Sequence, residues 1–385
     1  MCAVSAKQQT RSDQMQFVIG RNVLQKELAF VQGIVERKNT IPVLANILIE
    51  SAGEDSIRIS GTDLDVTIRC DADADEVKNP GAICVPARKL FDIARLLPDA
   101  PVSFKREDND WVTVECDRSR FRLPGISKET FPELPTFKST PYKLSASLLK
   151  SLIDRTIFAI TQEEGRYTLS GAKFEFDKQG VKMVTTDGHR LAMVSTTNGG
   201  NDSVENGLDV LIPRKTLAEL TKLTSDFDGE INLGADDNHV YFQVGSRLLI
   251  SRMLSGQFPN YEMVMPKNND QSATFDTTAL NQAIRRVALM ADDRSHAIRL
   301  HLSKEQLLIS SQNAESGEAR ETVNTDFGGE ETDIGFNAQY LQDFLNVVGT
   351  EKVVFEFKDA NSQAQLRPSA EEKADYRYVI MPMRL

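Results

Sequence analysis

Thr186-Asp187-Gly188-His189-Arg190 sets a carboxylate and an imidazole two residues apart, the pair of groups that general acid–base catalysis uses. The spacing argues against that chemistry. Asp-Gly is turn chemistry, and neighbouring side chains in a tight turn rarely point at one another. The same Thr-Asp pair recurs at Thr62-Asp63 with no histidine after it. The four histidines, His189, His239, His296 and His301, are scattered along the chain. No serine-nucleophile motif, phosphate-cradling glycine loop or HExxH helix is present. Cys2, Cys70, Cys84 and Cys116 lack metal-type spacing and read as reduced thiols of a cytosolic protein. The expectation is a chain that is not an enzyme, with no catalytic residue, cofactor or metal.

A second kind of chemistry is apolar. The chain ends on Tyr378-Val379-Ile380-Met381-Pro382-Met383-Arg384-Leu385. An apolar terminus must be docked or must help form a binding surface. Similar words occur at Met263-Val264-Met265-Pro266, which suggests two copies of one unit, each closed by an apolar strand and a proline.

The elements that would position these residues repeat at two scales. Phe17 to Gly20 reads as a strand. Val23, Leu24, Leu28, Val31, Ile34 and Val35 then mark a helical face, and strand-like runs follow at 46–50, 57–60 and 66–69. The order restarts with a strand at 82–85, a helix at 88–97, and strands at 102–105, 111–114 and 120–123. Phe131-Pro132-Glu133-Leu134-Pro135 closes this doubled unit. The whole then recurs. Phe17 and Leu24 match Tyr142 and Leu149, Val85-Pro86 matches Ile212-Pro213 and then Phe336-Asn337, and Phe258-Pro259-Asn260-Tyr261 repeats the closure. The third copy opens at Phe275 and Leu280. The reading is α+β, with three tandem domains at 15–138, 139–266 and 267–385, each a doubled strand-helix-three-strand unit. A polar leader, Met1 to Gln14, is expected to be disordered, and Met15 is a possible translation start.

The 45 basic and 56 acidic residues leave a net charge of −11, which argues against ordinary tight non-specific nucleic-acid binding. The six expected helices nevertheless sum to +6 and everything else to −17. A helix pair on one face of each domain would make that face the less negative one. No stacking platform of aromatic strands is evident; Tyr167 beside Arg166 is the one exposed-looking aromatic placed to touch a strand. No window approaches the ~18 apolar residues of a membrane span.

Taken together these residues resemble the bacterial sliding clamps, the β subunits of replicative DNA polymerase III, from Met15 to Leu385. The most specific marks are Thr186-Asp187-Gly188-His189-Arg190-Leu191 and Met381-Pro382-Met383-Arg384-Leu385. Supporting marks are Thr40-Ile41-Pro42-Val43-Leu44-Ala45-Asn46, Val85-Pro86-Ala87-Arg88-Lys89 and Phe258-Pro259-Asn260-Tyr261. The resemblance implies a head-to-tail homodimer, a ring of clamp domains whose helices line a hole around double-stranded DNA, bound topologically and without sequence preference. It implies partners carrying clamp-binding motifs: the replicative polymerase catalytic subunit, the clamp loader, translesion polymerases and repair proteins, in the cytoplasm at the nucleoid. It carries DNA contacts onto Arg37, Lys38, Arg88, Lys89 and Tyr167, and internal repetition adds Arg214 and Lys215. It carries a partner-peptide pocket onto Leu169, Thr186, Gly188, His189, Arg190, Leu191, Pro259, Val264, Asn337, Tyr340, Val379, Ile380, Met381, Pro382, Met383, Arg384 and Leu385. The dimer contact falls on Phe121 and Leu123 of an edge strand, facing Leu289 and Met290. The leader and a polar insert at 367–375 depart from the family pattern. The competing reading is a three-repeat peptide-binding scaffold that does not encircle DNA.

Overall fold

The computed structural model describes residues 14–35, 41–135, 142–163, 165–197, 207–313, 317–370 and 374–384. Residues 1–13 of the leader, Arg37, Lys38, part of the polar insert and Leu385 lie outside the described residues. Two compact units emerge, one from Met1–Ala146 with Ala218–Arg252, the other from Ser147–Leu217 with Met253–Leu385. The middle sequence repeat is therefore divided between them.

Sheet pairing explains the division. In every half-repeat the opening strand crosses into the sheet of the other half: Gln16–Gly20 pairs with Pro101–Arg106, and Ala82–Pro86 with Asn46–Ser51. The closing strands then pair across repeat boundaries. In the first unit Val66–Asp73 runs antiparallel to Arg247–Arg252, completing an eight-stranded sheet. In the second, Arg190–Thr196 runs antiparallel to Ala374–Ile380 and completes another. A strand edge left bare exposes unpaired amides and carbonyls, and pairing across the boundary satisfies both rows. A five-stranded sheet in the first unit and a four-stranded sheet in the second remain open, ending on Ser119–Pro124 and Gly317–Asn324 respectively.

Six α-helices lie among the described residues: α1 (Arg21–Ile34), α2 (Ala87–Leu96), α3 (Ala146–Asp154), α4 (Arg214–Leu223), α5 (Thr277–Val287) and α6 (Ala338–Val347). Each follows an opening strand, as the repeats require. Leu24, Leu28, Val31 and Ile34 of α1 are buried, as their spacing predicts. Val23 is not: it is 41% exposed, and Glu27 faces inward instead. Periodicity misses this because the inward acid is held by Arg247, whose Nε and Nη2 donate to Glu27 Oε2 and Oε1, both at 2.8 Å. The Arg247 guanidinium also lies 4.0 Å from the centroid of the Phe30 ring. A short strand, Glu76–Asn79, was not legible as a strand because its Glu-Val-Lys-Asn run is polar; it pairs with Gln16–Gly20. Cys70, Cys84 and Cys116 are buried free thiols. No helix among the described residues is long and apolar enough to cross a membrane.

Candidate docking groove

The terminal strand meets the Thr-Asp-Gly-His-Arg hairpin along its whole length, Leu191 opposite Val379 and Arg190 opposite Ile380. On the sheet face around that pair, Val184, Leu191, Met193, Leu211, Phe258, Tyr261 and Val379 form one buried cluster. Leu169, Leu254 and Met265 pack half-buried against it. Above this floor the apolar character continues into solvent: Met263 is 78%, Val264 45% and Met381 43% exposed, and Pro259 is exposed as well. Single exposed apolar residues are ordinary, but several beside a buried apolar floor make a candidate docking surface.

Two hydrogen bonds fix the tail. Met381 N donates to the His189 carbonyl at 2.9 Å, and Met383 N to the Gly335 carbonyl at 2.8 Å. The apolar end is thus docked by its backbone while Met381 stays exposed. Ile380, fully buried, belongs to the core rather than the groove surface; Pro382 and Met383 are half-buried and Arg384 exposed.

The hairpin turn spends its polar groups on itself. Thr186 Oγ1 donates to the Arg190 carbonyl at 2.6 Å and accepts from Gly188 N at 3.1 Å. Asp187 Oδ1 accepts from His189 N at 2.9 Å and Arg190 N at 3.0 Å. Gly188 holds φ +89°, where an added Cβ would lie 2.7 Å from Arg166 Nη1, so glycine is favoured. Arg166 in turn donates to the Asp187 carbonyl at 2.7 Å. The His189 ring is exposed, and Asp187 is committed to backbone amides and Arg190.

Arg190 needs a correction. It was expected among the pocket-lining residues, yet its side chain is 8% exposed and works as an internal strut. Nε donates to Asp187 Oδ2 at 3.0 Å, Nη1 to Asp343 Oδ2 at 2.5 Å, and Nη2 to the Phe158 carbonyl at 2.7 Å. The guanidinium also lies 4.2 Å from the Tyr340 ring centroid. Burial opposes its charge, but the Tyr378 phenol, Asp343 and Asp187 outweigh burial and raise its pKa above the ordinary value. Tyr340 serves as the strut's aromatic platform. Asn337 caps α6, accepting from Gln339 N and Tyr340 N. Sequence reasoning overlooked the floor residues Val184, Met193, Leu211, Phe258 and Tyr261; the strands carrying Val184 and Met193 are buried on both faces, so no alternation marks them out.

The expected DNA contacts fall on helix starts and a turn. Arg88 and Lys89 are exposed at the head of α2, Lys215 is exposed at the head of α4, and Tyr167 is 55% exposed in a 3₁₀ turn. Arg214 is less available: its Nη1 donates to the carbonyls of Ile157 at 3.2 Å and Ile160 at 3.4 Å.

The expected dimer contact is corrected in two places. Phe121 is 38% exposed on the open edge strand, whereas Leu123 is 8% exposed and turned inward. Leu289 and Met290 lie in a 3₁₀ turn after α5, not on an edge strand, although Leu289 is 75% exposed. The open edge in that sheet is Gly317–Asn324.

Sheets shared across repeat boundaries, paired helices and an apolar groove at one shared sheet define a three-domain clamp fold. Family models of the DNA polymerase III beta subunit match the chain as N-terminal domain over residues 15–135, central domain over 143–260 and C-terminal domain over 262–384. A "Beta sliding clamp" of Pseudomonas putida is 37% identical over 375 residues, covering 96% of this chain and 100% of that protein. That of Escherichia coli K12 is 33% identical over 372 residues, with the same coverage. A sliding clamp from Pseudomonas aeruginosa, solved bound to griselimycin, superposes with TM-score 0.90 at 37% identity, over 96% of this chain and 100% of that one. The Caulobacter crescentus sliding clamp gives 0.88 at 35% identity, again over 96% and 100%. The chain belongs to the DNA polymerase III beta subunit family, and its function is that of a replicative DNA sliding clamp.

Proposed function

We propose that two copies join head to tail into a closed ring around duplex DNA. The observation that carries this is the pairing pattern of the closing strands. Of the six half-repeats, four closing strands pair with one another within the chain, and two remain as open edges, Ser119–Pro124 and Gly317–Asn324. The first carries exposed Arg120 and Arg122, the second exposed Glu318 and Arg320 and half-buried Glu321. Pairing these edges between copies would repeat the internal design and bury both edges. A heterologous contact of this kind closes into a ring when the rotation per subunit divides a full turn, so a two-copy ring requires half a turn per copy.

Ring closure resolves the charge balance. A ring held on DNA by topology needs only weak, mobile phosphate contacts, and Arg88, Lys89, Lys215 and Tyr167, with Arg37 and Lys38, are assigned to them. Arg214 joins them only if it releases its two carbonyls. The polymerase and the other partners dock through short apolar peptides on the groove floored by Leu191, Met193, Phe258 and Val379. Roughly micromolar contacts of this type, about −8 kcal/mol each, let partners exchange while the shared ring raises effective concentration. The protein itself performs no chemical step, and its place of work is the bacterial cytoplasm at the nucleoid. Three sequence domains, 15–138, 139–266 and 267–385, are the building blocks of each half-ring.

Phe121→Asp tests the edge pairing. Sedimentation velocity is expected to show a dimer for the native chain and a monomer for the variant. A variant that remains dimeric contradicts the assigned interface.

A further inference from the structure

The hairpin of Ser56–Thr62 and Val66–Asp73 in the first unit is a second copy of the docking-groove hairpin. Thr62 Oγ1 donates to the Val66 carbonyl at 3.1 Å and accepts from Leu64 N at 3.0 Å. Asp63 Oδ1 accepts from Asp65 N at 3.0 Å and Val66 N at 2.7 Å. These are the bonds Thr186 and Asp187 make in the second unit. Counting back from the shared turn, Ser60 takes the place of Val184 and Arg69 that of Met193. Ser60 stands opposite Arg69, as Val184 stands opposite Met193. Each hairpin pairs onward across a repeat boundary, Arg69 facing Leu248 where Met193 faces Arg377.

At the same address the chemistry differs. Two floor residues of the apolar groove are replaced by a hydroxyl and a guanidinium, and neither is satisfied. Ser60 is fully buried and its Oγ has no hydrogen-bond partner; Arg69 Nε is likewise buried without one. Arg69 makes no hydrogen bond or ion pair among the described residues, although it is half-buried. The nearby carboxylates are committed elsewhere. Asp71 accepts from Arg58 Nε at 2.6 Å and Nη2 at 2.9 Å, and Glu50 accepts from Lys128 Nζ at 2.6 Å. Burial, and then the charge of Arg58, lower the Arg69 pKa, so the group gains from any anion that approaches.

The face is also the right one for a protein partner. A Cβ on Gly61 would meet Val31 of α1 at 2.6 Å, so the side chain of residue 61 points at the helix layer and those of Ser60 and Arg69 point away from it. We propose that Arg69, over Ser60 on the sheet face opposite α1, is a carboxylate-binding site that takes an acidic peptide segment of a partner protein. The choice of a peptide over free phosphate rests on the reading of the equivalent groove as a peptide dock. An arginine fork without a partner binds a carboxylate bidentately, and such charge-assisted bonds are about twice as strong as neutral ones.

Fluorescein-labelled hexaglutamate, titrated by anisotropy with the full chain at low ionic strength, tests this. The net charge of −11 repels such a probe, so binding requires a local site. Arg69→Met, which installs the residue of the apolar groove, is expected to weaken binding at least about tenfold, while Arg69→Lys retains most of it. Thermal melts report that each variant is folded. Three results would overturn the site: no binding by the native chain, equal binding by Arg69→Met, or hexaglutamine binding as well as hexaglutamate. Inorganic phosphate displacing the peptide at equal concentration would overturn the peptide assignment. Deleting 381–385 is expected to abolish apolar-peptide docking and leave hexaglutamate binding intact, so failure of one site is distinguishable from failure of the other.

Discussion

Arg247 and Glu27, 220 positions apart, share two hydrogen bonds of 2.8 Å in the interior of the first unit. Arg190 and Asp343 make the corresponding contact in the second. Each arginine is the first residue of a closing strand, each acid lies on the helix of a neighbouring repeat, and each guanidinium rests on an aromatic ring of that helix, Phe30 or Tyr340. Strand pairing alone leaves a boundary free to twist. A buried strut on its helix side fixes the angle at which successive repeats meet.

Removing one partner of such a pair strands a buried charge. Glu27→Leu alone is expected to cost about 3 kcal/mol or more in chemical denaturation, as is Arg247→Met alone, whereas the two together return to within about 1 kcal/mol of the native chain. Singles and double together form the cycle. Equal losses in all variants would show that the pair adds nothing beyond packing.

The two copies of the Thr-Asp turn predict opposite signs for a change at one position. Gly188 sits at φ +89° and Leu64, its counterpart, at φ +81°. Gly188→Ala is expected to destabilise by about 1 kcal/mol or more, since the new methyl meets Arg166 in a left-handed conformation. Leu64→Gly relieves about 1–2 kcal/mol of backbone strain against an entropic loss of about 0.5–1 kcal/mol, a net gain. Denaturant midpoints check both, and a loss at Leu64→Gly would mean that the exposed leucine is held by contacts outweighing its strain.

Asp236 supplies a pH signature. Burial pushes its pKa up, but the Tyr241 hydroxyl and the amides of Asn238 and His239 prevail, and it falls from 3.8 to about 2. Folding depresses this pKa, so the stability it contributes is complete above the ordinary carboxylate value and is lost as pH falls from about 4 towards 2. Melting temperature in that window is expected to drop less steeply in Asp236→Asn than in the native chain. Parallel curves would contradict the assignment.

Much of this was legible in the residues. The repeats, the helix after each opening strand and the Thr-Asp turn followed from spacing, and the apolar terminus announced a docked strand. What was not legible depends on long-range pairing. An inward Glu27 breaks an apolar stripe unless Arg247 is known to face it. Arg190 reads as a surface cation beside an exposed histidine until α6 brings Asp343 to it. Leu123 and Phe121 share one strand face, and only the fold shows which of them is covered. Nor does sequence order reveal that closing strands leave their own repeat, because neighbouring strands usually pair.

The most direct test of the clamp's central property is its residence on DNA after loading, compared between closed circular and linearised molecules of the same sequence. A topologically bound ring remains on the circle and slides off the linear ends, so its half-life on linear DNA is expected to be far shorter at equal salt. Equal half-lives on the two would contradict encirclement and leave a peptide-binding scaffold in its place.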